Sequence, residues 1–245
     1  MTIPLHGLAS EEPRLIAPRR WPAVVFAAAL AACDSGGTIG IIARTTADVR
    51  VLNASTTSID LLQNQTIDPA NSGIVFAASS LCMTVDIISH GLSVRPAGIR
   101  TTTIPLPSFA ADERYVVAVT GTASSLQPVS FRDSFTPATG QGGLRFINVS
   151  GGLNAYDIYV TDPGAALVTA NASAIATGAA SSYFNVPTIA QQVRLINTLS
   201  GGVAFDLGNV TVPSGGKAIV VLGTAVTGGT TPRPFVFQIA PGGSC

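Results

Sequence analysis

The chain has 245 residues, of which 13 are basic and 13 acidic; net charge is +0, hydrophobic residues make up 47% and charged residues only 11%. So apolar and so evenly charged a chain excludes disorder, which needs low hydrophobicity with high net charge. It leaves no basic face for a nucleic acid partner and lacks the Ala, Glu, Lys, Leu and Arg heptads of a coiled coil.

The amino terminus reads as a targeting segment. Arg14, Arg19 and Arg20 precede an apolar run from Trp21 to Ala32, too short to span a bilayer, which takes roughly 20 residues, and of the length of a signal-peptide core. The run ends in Leu30-Ala31-Ala32-Cys33, followed by the polar Asp34-Ser35-Gly36-Gly37. This resembles a bacterial lipobox, which implies a cleaved lipoprotein signal peptide over residues 1–32 and lipidation at Cys33. The alternative is a buried helix ending in Cys. Arg19-Arg20 suggests twin-arginine export, but Trp21-Pro22 departs from that pattern. Residues 33–43 form the lipidated tether. A flexible segment of about ten residues reaches about 18 Å, which keeps the folded part of the chain close to the membrane.

The mature chain then repeats itself, the sign of a duplicated unit. Arg50-Val51-Leu52-Asn53-Ala54-Ser55 matches Arg145-Phe146-Ile147-Asn148-Val149-Ser150, and Ile59-Asp60-Leu61 matches Tyr156-Asp157-Ile158. Ala77-Ala78-Ser79-Ser80 matches Ala179-Ala180-Ser181-Ser182, and Leu106-Pro107-Ser108 matches Val212-Pro213-Ser214. Val116 to Gly121 matches Ala218 to Gly223, and Phe131 falls opposite Phe237. These matches place a first repeat at 44–138, a linker at 139–143 and a second repeat at 144–245. Within each copy, short alternating or fully apolar runs are bounded by turn signals such as Asn71-Ser72-Gly73 and Pro213-Ser214-Gly215-Gly216. Such punctuation predicts an all-β fold: two tandem antiparallel β-sandwiches of the Ig-like or transthyretin-like kind. Tyr115 to Thr120 is apolar on both alternating faces, as a strand covered on both sides requires.

The order Arg-x-x-Asn-x-Ser, then Asp beside an aliphatic residue, then a Pro-bounded turn, then an apolar strand ending in Gly resembles the bacterial domain-of-unknown-function family 4397. Its members often carry two copies behind a lipoprotein signal. The resemblance covers residues 46–245, with a departure between Gln63 and Gly91, where the first copy is longer and less regular. It implies an extracytoplasmic β-domain and brings no established reaction.

The chemistry-bearing residues are sparse. After the signal segment the only histidine is His90, and no Gly-x-Ser-x-Gly elbow accompanies it, so a Ser-His-Asp triad has no frame. One His and two distant Cys do not make a zinc site, and no Asp-x-Asp-x-Asp-Gly calcium loop is present. Eleven scattered carboxylates offer no evident glycosidase pair. Gly140-Gln141-Gly142-Gly143 precedes a strand and is not a nucleotide loop. No catalytic, metal or cofactor residue is predicted. Cys82 and Cys245 can form a disulfide in an oxidising envelope; the alternative is a buried Cys82 and a free terminal thiol. The repeated Arg50, Asn53, Ser55 and Asp60, with Arg145, Asn148, Ser150 and Asp157, read as a structural box. In it Asn closes a strand by bonding the next turn, and Arg50–Asp60 and Arg145–Asp157 pair across strands. A ligand site is the competing reading.

The function expected is that of a lipid-anchored envelope protein facing the periplasm or the cell exterior. It acts as a binding or structural module with an envelope protein or polysaccharide as partner. The alternatives are an envelope-polymer hydrolase and a periplasmic sensor or chaperone-like partner.

Overall fold

A computed structural model describes residues 45–89, 91–226 and 229–243. The strands of the first half are β1 (Thr46–Asn53), β2 (Ile59–Gln63), β3 (Thr66–Ile67), β4 (Met83–Asp86), β5 (Leu92–Pro96), β6 (Ile104–Pro105), β7 (Arg114–Thr122) and β8 (Ser125–Arg132). Those of the second are β9 (Gly142–Asn148), β10 (Tyr156–Thr161), β11 (Ala172–Ile175), β12 (Ala179–Ala180), β13 (Phe184–Val186), β14 (Gln191–Asn197), β15 (Val203–Val210), β16 (Lys217–Gly223) and β17 (Arg233–Ile239). A short 3₁₀ turn at Pro69–Asn71, capped by the Asp68 carboxylate, is the helical element among the described residues. The protein is thus all-β, as its composition predicts.

The strands form four sheets, with the orders β3-β2-β5-β6, β4-β1-β7-β8, β12-β9-β16-β17 and β11-β10-β14-β15. The two halves use the same connectivity. In each, the first strand pairs with the next-to-last in parallel: Arg50 lies opposite Val116 in β1–β7, and Arg145 opposite Ile219 in β9–β16. The antiparallel expectation therefore fails at this one pair per half. The intervening chain crosses to the other sheet and returns, so β1 and β9 meet β7 and β16 running the same way.

Alternation along these central strands explains the packing. Val49, Val51, Tyr115, Val117 and Val119 turn inward to a core shared with Ile59, Leu61, Leu92 and Val94 of the facing sheet. Leu144, Phe146, Ala218, Val220 and Leu222 do the same against Tyr156, Ile158, Val193 and Leu195. The opposite faces of the same strands do not meet water. Leu52, Ala54, Val116 and Ala118 of the first half pack against Ile147, Val149, Ile219 and Val221 of the second, flanked by Val129, Phe131, Phe235 and Phe237. Three hydrophobic layers between four sheets account for strands with no polar face. A strand buried on both sides reads as a continuous apolar run.

Candidate functional site

The repeated box organises strand ends. Asn53 Nδ2 donates to the carbonyls of Thr57 and Ile74, while its Oδ1 accepts from the Ser55 backbone N–H and hydroxyl. Asn148 repeats the pattern, donating to Asn154 and Ile175 and accepting from both groups of Ser150. All four side chains are buried, and an Asn whose donors and acceptor are all matched carries no burial penalty.

The paired carboxylates behave otherwise. Asp60 meets Arg95 at 3.4 Å, on the strand beside it, and not Arg50. It also accepts from the Gly73 N–H and the Ser72 hydroxyl. Burial alone would raise its pKa, but these donors and Arg95 hold it below the usual carboxylate range. Asp157 accepts the Ala174 N–H, and Arg145 lies elsewhere. The expected Arg–Asp pairs are absent because Arg50 and Arg145 point away from the sandwich that holds the two Asp residues.

Both arginines face the seam between the halves. The Arg50 guanidinium lies 5.3 Å from the Phe237 ring, and Arg145 lies 5.6 Å from the Phe131 ring. Each repeated Arg thus stacks on the repeated Phe of the other half, the cation–π arrangement favoured by desolvated guanidinium groups. The seam is closed further by Thr120, whose hydroxyl donates to the Val149 carbonyl, by Thr224, whose N–H donates to Ala54, and by Arg233, which donates to the Ser55 carbonyl.

Hydrogen bonding also corrects the alignment of the two halves. Ser80 Oγ accepts the Val51 N–H and Ser181 Oγ accepts the Phe146 N–H, so Ser80 corresponds to Ser181 and not to Ser182. Val116 and Ile219 occupy the same place opposite the two arginines, so Val116 corresponds to Ile219 and not to Ala218.

One side of the seam carries a polar cluster that the other lacks. Lys217 Nζ reaches Asp133 Oδ2 at 2.5 Å with the carboxylate fully buried. Asp133 Oδ1 has no hydrogen-bond partner. Arg145 is 6% exposed; it donates from Nη1 to the Arg132 carbonyl at 2.7 Å, and its Nε is unpaired. Tyr183 stacks on Phe135 at 4.9 Å with the planes 10° apart, and Arg145 sits 4.9 Å from its ring. Its hydroxyl finds no partner in hydrogen-bonding geometry. Burial and the nearby Asp133 push its phenol pKa well above the ordinary value. Burial likewise lowers that of Arg50, against the opposing pull of Asp133. Lys217 thus pairs with Asp133, whose charge also acts on Arg50.

Arg145 and Tyr183 of this cluster form part of the wall of an open cavity of about 600 Å³, lined also by Ser130, Phe131, Arg132, Ser134, Phe135 and Ala180 to Ser182. Gly143 makes room for the Phe135 ring in that wall, since a Cβ there would come within 2.6 Å of it. Sequence reasoning does not reach the cavity. The signal available is Lys217, the sole lysine, at the start of an apolar strand, where a buried ammonium requires a partner.

Of the other predicted residues, Cys82 is disulfide-bonded. Cys33, His90 and Cys245 lie outside the described residues. No group of His, Cys, Asp and Glu suited to a metal ion occurs among the described residues, and no helix there is long and apolar enough to cross a membrane.

The fold and seam define a β-sandwich protein with a second sandwich-like layer pair packed on the first. Residues 47–159 match the model of the domain of unknown function DUF4397. The match ends within β10, and so crosses the boundary at which the sequence places the second copy. No curated protein matches the sequence. Among solved structures, a candidate cell adhesion protein from Bacteroides uniformis is 11% identical, with a TM-score of 0.25, over 79% of this chain and 96% of its own. A carbohydrate-binding module of family CBM26, from Eubacterium rectale Amy13K in complex with maltoheptaose, is 14% identical, with a TM-score of 0.23, over 79% of this chain and 98% of its own. Likeness at this level carries no functional inference.

Proposed function

We propose that the protein is a lipid-anchored envelope module, made of two tandem β-sandwich repeats of the DUF4397 kind behind a signal peptide. In this reading it binds an envelope component and performs no catalysis. Cys33 carries the acyl chains and residues 33–43 tether the repeats to the membrane.

The observation that carries the binding reading is the seam cavity. Its walls come from both halves, which a shared apolar core holds as one body. Arg145, Phe131, Phe135 and Tyr183 line it, a concave polar and aromatic surface of the kind that binding sites use. Among the described residues it presents no nucleophile–base pair. The anchor is tested by radiolabelled palmitate in cells expressing the chain. Label on the wild type and none on Cys33→Ser supports it, and equal labelling overturns it. The binding reading is tested by incubating the purified full chain with isolated envelope polysaccharide. Co-sedimentation without release of reducing ends is expected, whereas steady release of reducing ends would make the protein a hydrolase.

A further inference from the structure

We propose that the uncharged pole of the molecule is a membrane-contact surface, which seats the side chains of Leu153, Leu199 and Val226 in the headgroup boundary of a lipid bilayer. This surface is separate from the seam cavity and does not depend on the anchor at Cys33.

Strand direction sorts the loops of both halves into two poles. β1, β5, β7, β9, β14 and β16 end at one of them, and β2, β8, β10, β15 and β17 begin there. The loops at that pole are 54–58, 97–103, 123–124, 149–155, 176–178, 198–202, 224–226 and 229–232. The two halves meet at it. The Thr224 N–H donates to the Ala54 carbonyl and the Gly121 N–H donates to the Thr224 hydroxyl. Thr56 and Thr122 of the first half line one shallow hollow with Asn154, Val226 and Pro232 of the second. The loops of both sandwiches therefore form a single end face.

Charge divides the two poles. Among the described residues of these loops Arg100 is the only charged one, and it is exposed; the rest are Gly, Ala, Ser, Thr, Asn, Pro and aliphatic residues. The opposite pole, where β1 enters, holds Asp48, Asp86, Asp112, Glu113 and Arg114. An ionised side chain loses its hydration at a bilayer, which is costly. An end face without a carboxylate meets lipid without that cost, and the guanidinium of Arg100 is complementary to lipid phosphates.

The apolar groups of this face are separate aliphatic tips. Leu153, Leu199 and Val226 are exposed, as is Ile99 beside Arg100. The two leucines rise from turns, Gly151-Gly152-Leu153 and Leu199-Ser200-Gly201, in which Gly151 and Gly201 take φ of +79° and +67°, a conformation that glycine adopts without strain. No aromatic residue occurs among the described residues of these loops. Protein interfaces draw their binding energy from aromatic and Arg side chains, with Leu and Val under-represented, so a protein partner fits this face poorly. A fluid bilayer takes separate tips without a matching pocket, and binding grows with the apolar area that enters it. The tips alone enter, because the loop backbone must stay hydrated. Exposed aliphatic residues elsewhere lack the uncharged surround. Ile88 and Val168 follow Asp86 and Asp162 in their loops, and Ile189 precedes Gln191, which bonds Asp162.

The test reads tryptophan emission from the full-length chain in a Trp21→Phe background. The protein is reconstituted in vesicles of phosphatidylethanolamine and phosphatidylglycerol, with and without acyl chains brominated near the headgroup. Leu153→Trp and Leu199→Trp should each shift to the blue and be quenched by the bromines. Thr139→Trp, an exposed position at the opposite pole, should do neither. Leu199→Asp, added to Leu153→Trp, should abolish the quenching and leave the melt unchanged, because the side chain it replaces is exposed. All variants share one amino terminus, so an anchor contributes equally to each. Quenching at Leu153→Trp and Leu199→Trp no greater than at Thr139→Trp overturns the inference. So does a blue shift without quenching, which would mean that protein covers the tips, and so does quenching that survives Leu199→Asp. None of these outcomes bears on palmitate labelling at Cys33, so the surface and the anchor fail separately.

Discussion

At the scale of single residues, the repeated Asn and the seam cations set the largest expected effects. Asn53→Ala would leave the Ser55 N–H without its partner and take one of two donors from each of the Thr57 and Ile74 carbonyls, and a buried group left unsatisfied costs about 1–3 kcal/mol. A loss of about 2–4 kcal/mol in denaturant unfolding is expected for Asn53→Ala and Asn148→Ala. The exposed Asn209→Ala should stay within about 0.5 kcal/mol of wild type. Equal effects at all three positions would remove the capping role. Lys217→Met strands the buried Asp133 carboxylate and should cost about 3–5 kcal/mol, most of it recovered in Lys217→Met with Asp133→Leu. Asp60 adds a pH dependence. Its folded pKa lies below the unfolded value, so its contribution is fully present above the ordinary carboxylate pKa and is lost as pH falls through the folded one. Asp60→Asn should flatten stability against pH below about 4, and a profile unchanged by that substitution would mean that the Gly73 N–H, the Ser72 hydroxyl and Arg95 do not hold the charged carboxylate.

At the scale of elements, the apolar strands are legible in the sequence, but their neighbours are not. The run from Tyr115 to Thr120 announces a strand with no polar side, and the structure covers both faces. Parallel pairing of β1 with β7 joins segments far apart in the chain, and period-2 alternation carries no information about which strand lies alongside. Alignment by residue type slips by one at Ala218 and at Ser182, and a slip of one exchanges the two faces of a strand. Asp60 and Asp157 mislead in the same way: repetition of an Arg and an Asp suggests a pair, whereas the Arg faces the seam and the Asp its own sandwich. Tyr183 leaves no signal, because its counterpart is Cys82 and it sits in an irregular stretch before β13. The corrected register makes a prediction. Val117→Asp places a charge in the first core and Val220→Asp one in the second, each costing more than about 4 kcal/mol and unfolding its own half. Val116→Asp and Ile219→Asp strike the shared layer instead, and should part the halves while each keeps its own core. With a fluorescent probe in each half, the first pair should lower one transition and the second pair should separate two. Indistinguishable melts for Val116→Asp and Val117→Asp would refute the assignment of faces.

At the scale of the whole molecule, the question is whether either half stands alone. The repeat at 144–245 reads in sequence as a self-sufficient sandwich, and its inner core is complete. Its other face is Ile147, Val149, Ile219 and Val221 with Phe235 and Phe237 around them. Burial of each large apolar side chain contributes about 1.5–3 kcal/mol, so this face together rivals the roughly 5–15 kcal/mol that keeps a typical domain folded. A patch of that kind does not remain in water on a stable monomer. The arrangement across the seam says what would cover it. Arg145 stacks on Phe131 and Arg50 on Phe237, each equivalent to the other, so the seam is nearly self-complementary. Two copies of the second half can therefore meet face to face, with the second copy's Phe237 in the place of Phe131, the relation that closed two-fold dimers require. Residues 142–245 expressed alone should sediment as a dimer, and Ile219→Glu should turn that dimer into a monomer of lower stability. Cooperative unfolding of an unmodified monomer at high concentration would show that the shared layer adds nothing essential, and the halves would then be two independent domains in contact.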